Sequence, residues 1–204
     1  PIFSADMHYQ NWFGIVFFIF IYSMVLLLFP FYRKMTSKPK GTYLAFVIAF
    51  AIEMHGIPFS FYVISYLFNK QMPLGVFWGH TLFPIIGHWG MYINIALAII
   101  ALIILINGWK NIYKHYWSKS QGEGKIVKVG VYRYIRHPQY TGLLLLSLGM
   151  LIEWVTIPLL LMFPIMVIMY NNLAKREEAD MIREFGDDYL NYMKGTKRFI
   201  PFVW

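Results

Sequence analysis

The chain has 204 residues, of which 58% are hydrophobic and only 14% are charged. A soluble domain of this size carries about 25% charged residues, so the composition excludes an ordinary water-soluble fold. The chain contains no cysteine, which excludes disulfide bonds and thiolate catalysis within it. The formal net charge of +8 favours anionic partners, and the positions of the basic residues decide which kind.

Five apolar segments follow one another and predict an all-α integral membrane protein that forms one domain. The predicted transmembrane helices are residues 12–32, 42–68, 89–107, 139–152 and 155–172. The first three are long enough to cross about 30 Å of hydrocarbon. The fourth is shorter, so we expect the fourth and fifth to form a tight hairpin that begins at the membrane interface.

The basic residues lie on one side of these predicted spans. Of the 18 lysines and arginines, all except Lys70 fall within 33–40, within 109–137, or from Lys175 onward. The positive-inside rule therefore predicts an N-terminus outside and a cytosolic loop at 109–138. Because the basic residues border the predicted spans, we expect their positive charge to contact anionic lipid headgroups. The same placement argues against a nucleic-acid partner.

Residues 175–194 predict an amphipathic C-terminal helix on the cytosolic face. Apolar and aromatic side chains recur in it at helical spacing, namely Met181, Phe185, Tyr189 and Tyr192. Glu177 and Glu178, near its start, have two interpretations. They are either acidic residues that favour a helix N-terminus through the helix dipole, or anionic partners for a bound cation.

The most polar stretch, residues 124–142, leads directly into the fourth predicted span. Pro138 suits the first turn of a helix, where its missing N–H costs nothing. Arg136 and His137 would then lie at the mouth of that helix, where free backbone N–H groups and the dipole favour anionic groups. The pattern predicts a binding site for a charged ligand at the edge of the bilayer.

Two blocks of sequence resemble the isoprenylcysteine carboxyl methyltransferase family and the related membrane phospholipid methyltransferases. The first is R-H-P-x-Y-x-G at 136–142, and the second is E-E at 177–178 followed by F-G-D-D-Y-L-x-Y and F-I-P. The resemblance covers about residues 117–201. It implies methyl transfer from S-adenosyl-L-methionine on the cytosolic side, and the five-helix architecture of small prokaryotic members, hence a prokaryotic plasma membrane.

The resemblance also implies roles for individual residues. Cofactor contacts would fall on Gly124, Lys125, Ile126, Val127, Tyr132, His137, Pro138, Gln139, Tyr140 and Glu177. Glutamate can bind the ammonium group of the cofactor, and Arg136, His137 or the helix-mouth N–H groups can bind its carboxylate. We predict catalytic roles for Arg136, His137 and Glu178, since His137 or Glu178 could take the proton that an amine or thiol acceptor must lose.

The acceptor site departs from the prenylcysteine enzymes at one position. Those enzymes are expected to hold the substrate carboxylate with an arginine four residues before the first glutamate, where this chain has Leu173. We therefore predict a lipid amine, an isoprenoid or phenolic lipid, or a small apolar thiol as acceptor. The predicted substrate pocket contains Asn171, Leu173, His55 and Glu53.

Glu53 and His55 lie within the second predicted span, where ionisable side chains are costly and often functional. They cannot share one helix face unless the helix opens, and the stretch 56–58, with its glycine and proline, can open it. A metal site made by His55, His80 and His88 is an alternative interpretation. We predict instead a polar lining of the acceptor pocket, with no metal.

Two other functions stay open on the sequence alone. A membrane reductase of the sterol-reductase type would place NADPH in a similar pocket, but it needs more spans and more phosphate-binding arginines than this chain has. A non-catalytic lipid-binding membrane protein is the other alternative, and the joint presence of Tyr132, His137, Tyr140 and Glu177 argues against it.

Overall fold

The computed structural model describes residues 10–29, 37–69, 86–117 and 125–203, and all long regular elements among them are helices. The helices are α1 (Trp12–Met24), α2 (Ser37–His55), α3 (Phe59–Phe68), α4 (Trp89–Ile112), α5 (Pro138–Glu153), α6 (Ile157–Phe185) and α7 (Asp187–Gly195). Short turns of 3-10 helix (Val25–Leu28 and Gly130–Arg133) and π helix (Tyr113–Trp117) accompany them. The predicted all-α class is confirmed for the described residues.

Two helical stretches are long and apolar enough to cross a membrane by length and composition, Trp89–Tyr116 and Ile157–Phe185. The helix Trp12–Leu28 is apolar but shorter. On α4, the isoleucines 95, 99 and 103 are 50%, 53% and 62% exposed and lie one helical turn apart. Such a stripe is typical of a surface that contacts lipid, although the predicted number of five spans stays a prediction.

The second predicted span is divided at the stretch 56–58, where α2 ends and α3 begins. Pro58 precedes α3 and has no N–H to continue the helical hydrogen bonding of α2. The carboxylate of Glu53 accepts hydrogen bonds from the backbone N–H groups of Phe59 at 2.9 Å and Ser60 at 3.4 Å. Glu53 therefore satisfies the first free N–H groups of α3 across the break.

The C-terminal helices differ from the prediction. The segments predicted separately as 155–172 and 175–194 share one helix, α6, which continues to Phe185. Alanine, lysine, arginine and glutamate follow the apolar stretch, and because these residues favour helix, nothing ends α6 where its hydrophobicity ends. The break comes at Gly186, whose φ of 54° and ψ of −130° favour glycine, and α7 starts immediately after it.

The hairpin of α5 and α6 turns at buried Trp154. Thr156 caps α6 by accepting the N–H of Leu159 at 3.4 Å. Around the hairpin, the core contains large buried aromatic side chains, including Tyr43, Phe46, Phe50 and Tyr170. The hairpin thus aligns the N-terminal end of α5 with the middle of α6.

The packing of α4 against α5 depends on glycines that let the two backbones approach closely. A Cβ atom on Gly142 would lie 2.5 Å from Cγ of Leu105, which is too close for two carbon atoms. A Cβ on Gly108 would lie 3.2 Å from the ring of Pro138. This close contact fixes the first turn of α5, where the polar segment enters the bundle.

We expect Gly142→Ala to destabilise the protein by about 1–3 kcal/mol, because the added methyl group overpacks the contact with Leu105. The measurement is thermal unfolding of the purified protein in detergent. Gly90→Ala is the matched control, since a Cβ on Gly90 meets no atom closer than 3.4 Å and alanine favours helix. An equal melting temperature for the two variants would contradict this account of the packing.

Candidate active site

A pocket lies where the segment 125–137 meets α5, and residues of α6 and α7 also line it. The candidate residues that line it are Lys125, Ile126, Val127, Tyr132, Arg136, His137, Gln139, Tyr140 and Glu177. Pro138 packs against Gly108 behind this wall, and Gly124 lies outside the described residues. The fold therefore brings two distant parts of the sequence to one pocket.

His137 immediately precedes α5, and Pro138 occupies the first position of that helix. The imidazole stacks on the ring of Tyr140, with the ring centroids 5.5 Å apart and the planes 8° from parallel. Tyr140 stacks in turn on Tyr170 of α6, at 5.3 Å. This column of rings fixes the helix mouth against α6.

Glu177 presents its carboxylate to the pocket. Its Oε1 accepts a hydrogen bond from the hydroxyl of Tyr140, and its Oε2 lies 3.3 Å from Nδ1 of His137. The side chain of Glu177 is 26% exposed, so part of the carboxylate remains accessible. A carboxylate held in this way can pair with a cationic group of a ligand.

Glu178 is buried beside the pocket and is surrounded by basic side chains. Arg136 Nε donates to its Oε1 at 2.8 Å, and Arg198 donates from Nη2 to Oε2 at 2.6 Å and from Nε to Oε1 at 3.1 Å. His137 Nε2 lies 3.2 Å from Oε1. Because both oxygens already receive hydrogen bonds, these contacts do not favour the role in proton transfer that we predict for Glu178.

The charge of His137 depends on the two neighbouring glutamates. Burial lowers the pKa of His137, but hydrogen bonds to Glu177 and Glu178 and the charges of their carboxylates outweigh it and raise the pKa above 6.5. The two carboxylates therefore stabilise the imidazolium form of His137. In that form, His137 adds positive charge to the helix mouth and donates hydrogen bonds to both carboxylates.

The tyrosines of the pocket are held by polar contacts. The hydroxyl of Tyr132 accepts a hydrogen bond from the Gln139 side chain, and the backbone carbonyl of Tyr132 accepts one from the hydroxyl of Tyr192 at 2.6 Å. Tyr192 belongs to α7, so this bond ties the C-terminal helix to the segment that enters α5. These bonds fix Tyr132 and Tyr192 in the pocket wall.

Sequence reasoning did not assign every residue of this pocket. The further lining residues are Phe29, Ile112, Tyr116, Asp180, Met181, Tyr189 and Tyr192. The helical spacing of Met181, Tyr189 and Tyr192 was a usable signal, because it marks the face that α6 and α7 turn towards the protein. Phe29 reaches the pocket from the end of the 3-10 turn that follows α1, and no sequence pattern indicates that approach.

The residues predicted for the substrate pocket lie elsewhere among the described residues. Asn171 accepts a hydrogen bond from Arg198 Nη1 at 2.8 Å, and Leu173 is buried in the core. Glu53 caps α3, and the His55 ring stacks on Phe18 at 4.9 Å. These four residues do not line the pocket described above. Their predicted contact with a substrate stays a prediction.

The alternative metal site falls only partly within the described residues. His55 and His88 are described, whereas His80 is not. Among the described residues, no group of three or more histidine, aspartate or glutamate side chains is arranged to hold a metal ion.

The described residues form a helical protein with a charged, tyrosine-rich pocket. The chain belongs to the phospholipid methyltransferase family, whose model matches residues 82–188, just over half of the 204 residues. This membership confirms the family resemblance seen in the two motif blocks. It also relates the chain to methyltransferases.

Two curated relatives match parts of the chain. The methanethiol S-methyltransferase of Crocosphaera subtropica is 26% identical over 159 residues, which is 71% of this chain and 59% of that protein. The protein-S-isoprenylcysteine O-methyltransferase of Schizosaccharomyces pombe is 30% identical over 87 residues, 42% of this chain and 37% of that protein. The chain therefore matches less than two thirds of the length of either relative.

Among solved structures, the chain is similar to the eukaryotic intramembrane Ras methyltransferase, an isoprenylcysteine carboxyl methyltransferase. The sequence identity is 16% and the TM-score is 0.48. The match covers 95% of this chain and 87% of that structure.

Proposed function

We propose that this chain is an integral membrane methyltransferase that uses S-adenosyl-L-methionine to methylate a lipophilic acceptor at the cytosolic face of a prokaryotic plasma membrane. The observation that carries the proposal is the convergence of Glu177, His137 and Tyr140 on one pocket within the region that matches the family. Two long apolar helices and the one-sided distribution of basic residues support the membrane location and the orientation, with the N-terminus outside.

The pocket residues fit the chemistry of S-adenosylmethionine, which carries an ammonium group, a carboxylate, a sulfonium and an adenine. Glu177 would hold the ammonium group, and Arg136 and Lys125 would hold the carboxylate together with the first N–H groups of α5. Tyrosines such as Tyr132 and Tyr189 offer faces for the adenine and for the cationic sulfonium. The donor set thus provides a partner for each group of the cofactor.

When bound, the cofactor supplies a methyl group that a nucleophile can attack in line. The chain contributes mainly by positioning, because two reactants held in line need little further assistance. Phe29, Ile112 and Met181 give the pocket an apolar wall on which a lipophilic acceptor can lie. An amine or thiol acceptor must lose a proton, and the neutral form of His137 is a pocket group that can accept it.

For the acceptor, we propose a lipid amine, an isoprenoid or phenolic lipid, or a small apolar thiol, and we place the thiol first. The relative that matches the larger share of this chain is a methanethiol S-methyltransferase. A prenylcysteine carboxylate is placed last, because the position expected to hold it is the buried apolar residue Leu173.

The cofactor is tested by calorimetry on detergent-purified protein with S-adenosylhomocysteine and, separately, NADPH. We expect saturable binding of S-adenosylhomocysteine that is weakened at least about tenfold in His137→Ala, because the helix mouth loses a charged partner. NADPH is expected not to bind. Binding of NADPH alone would indicate the reductase, and binding of neither ligand would indicate a non-catalytic protein.

The acceptor is tested by transfer of a labelled methyl group in detergent or vesicles. We expect transfer to a short alkyl thiol to exceed transfer to a prenylated cysteine, with phosphatidylethanolamine as the lipid-amine comparison. Preferential methylation of the prenylated cysteine would contradict the assignment based on Leu173.

A further inference from the structure

Residues 196–199, which follow α7, form a strap beside the segment that enters α5. Three backbone hydrogen bonds join them: Arg136 N–H to Lys197 C=O at 2.8 Å, His137 N–H to Arg198 C=O at 3.1 Å, and Lys197 N–H to Tyr134 C=O at 3.0 Å. The hydroxyl of Thr141 donates to the carbonyl of Phe199 at 2.9 Å. The strap is therefore attached to both residues of the helix mouth that line the pocket.

The side chain of Arg198 points from the strap to α6. Two of its nitrogens donate to the two oxygens of Glu178, and the third donates to Asn171 Oδ1 at 2.8 Å. A guanidinium that binds a carboxylate through both oxygens fixes its plane as well as its position. Arg198 itself does not line the pocket.

The pocket residues contact the same carboxylate from the other side. Arg136 Nε and His137 Nε2 both lie against Oε1 of Glu178, at 2.8 Å and 3.2 Å. Any rotation of the Glu178 carboxylate would therefore change the hydrogen bonds of both Arg136 and His137. Because Arg198 donates hydrogen bonds to both oxygens, it opposes this rotation.

We infer that Arg198 is a positioning residue of the pocket: it fixes the Glu178 carboxylate and, through it, the orientation and charge of His137 and the placement of Arg136. The inference deepens the proposed methyltransferase function and rests on it for its meaning in catalysis. The contact between Arg198, Glu178 and His137 can also be tested without any ligand.

Several charged or titratable groups face His137. Glu177 and Glu178 reach it from α6, Arg136 precedes it in the chain, and Tyr140 stacks on it. Lys125, Asp180 and Tyr189 line the same pocket. Arg198 neutralises part of the charge of Glu178, so its removal leaves more negative charge for His137, and the titration midpoint of His137 is expected to rise.

The experiment is an NMR titration of the imidazole of His137 in the full chain without ligand, with the signal identified by its loss in His137→Gln. We expect the midpoint to move to higher pH in Arg198→Gln and to stay unchanged in Lys197→Gln. The control removes an exposed positive charge from the same strap. In calorimetry, Arg198→Gln is expected to bind S-adenosylhomocysteine about tenfold more weakly than the wild type.

An unchanged midpoint in folded Arg198→Gln would overturn the inference, since a purely structural role of Arg198 would leave the titration of His137 in place. Where Arg198→Gln does not fold, Arg198→Lys takes its place, because a lysine ammonium cannot bind both oxygens in the planar way that a guanidinium does and neutralises Glu178 less completely. A smaller shift in the same direction is then expected, and no shift overturns the inference. Failure of the wild type to bind S-adenosylhomocysteine would contradict the proposed function while the ligand-free titration still tests Arg198.

Discussion

Glu177→Gln is expected to weaken the binding of S-adenosylhomocysteine by about 10–100-fold, the loss that removal of a charge-assisted hydrogen bond produces. Glu177 is a partly accessible carboxylate of the pocket, and the proposed ligand brings an ammonium group to it. Glutamine keeps the size of the side chain but removes its charge. The same change weakens the contacts that orient His137 and Tyr140 at the helix mouth.

Calorimetry at fixed pH and salt measures this effect. The matched control is Glu184→Gln, which removes an exposed carboxylate two helical turns further along α6. We expect the control to bind like the wild type. Equal affinities for Glu177→Gln and Glu184→Gln would mean that Glu177 does not contact the ligand, and the proposed cofactor geometry would be incorrect.

The pocket residues that belong to short sequence motifs could be predicted from the sequence. Arg136, His137 and Tyr140 form one short motif around a proline that fixes where α5 begins. Glu177 was identified through the second motif block. In each case a local pattern carries the information, because the residue types and the start of the helix are set within a few positions.

The pocket contacts that depend on tertiary packing could not be predicted from the sequence in this way. Arg198 becomes significant only because Gly186 turns the chain into α7, which then returns the strap to the segment that enters α5. Phe29 lines the pocket because the 3-10 turn after α1 ends beside it. An arginine near a chain end and a phenylalanine in an apolar segment have no local pattern that indicates such contacts.

The helix boundaries also differ in whether the sequence predicts them. The break between α2 and α3 could be anticipated from the stretch 56–58, because proline and glycine act locally. The continuation of α6 to Phe185 could not be read from hydrophobicity, because helix formation does not require the apolar stretch to continue. This continuity matters for the site, since one rigid helix carries Asn171, Glu177, Glu178 and Asp180 in a fixed relation.

Glu178→Ala is expected to destabilise the folded protein by about 3–5 kcal/mol, because removal of one partner leaves buried positive charges without compensation. The side chain of Glu178 is 4% exposed and contacts Arg136, Arg198 and His137. Loss of this carboxylate leaves Asn171 as the α6 residue that accepts a hydrogen bond from Arg198 of the strap. The measurement is the free energy of unfolding from denaturant titration in detergent micelles, with thermal unfolding as a second readout.

Asp188→Ala is the control for loss of a carboxylate, since Asp188 is exposed in the first turn of α7, where its interaction with the helix dipole contributes only about 0.3–1 kcal/mol. A double variant, Glu178→Ala with Arg198→Leu, is expected to lose less stability than the sum of the two single variants, because one of the uncompensated charges is removed with its partner. Strict additivity would show that Glu178 and Arg198 contribute independently.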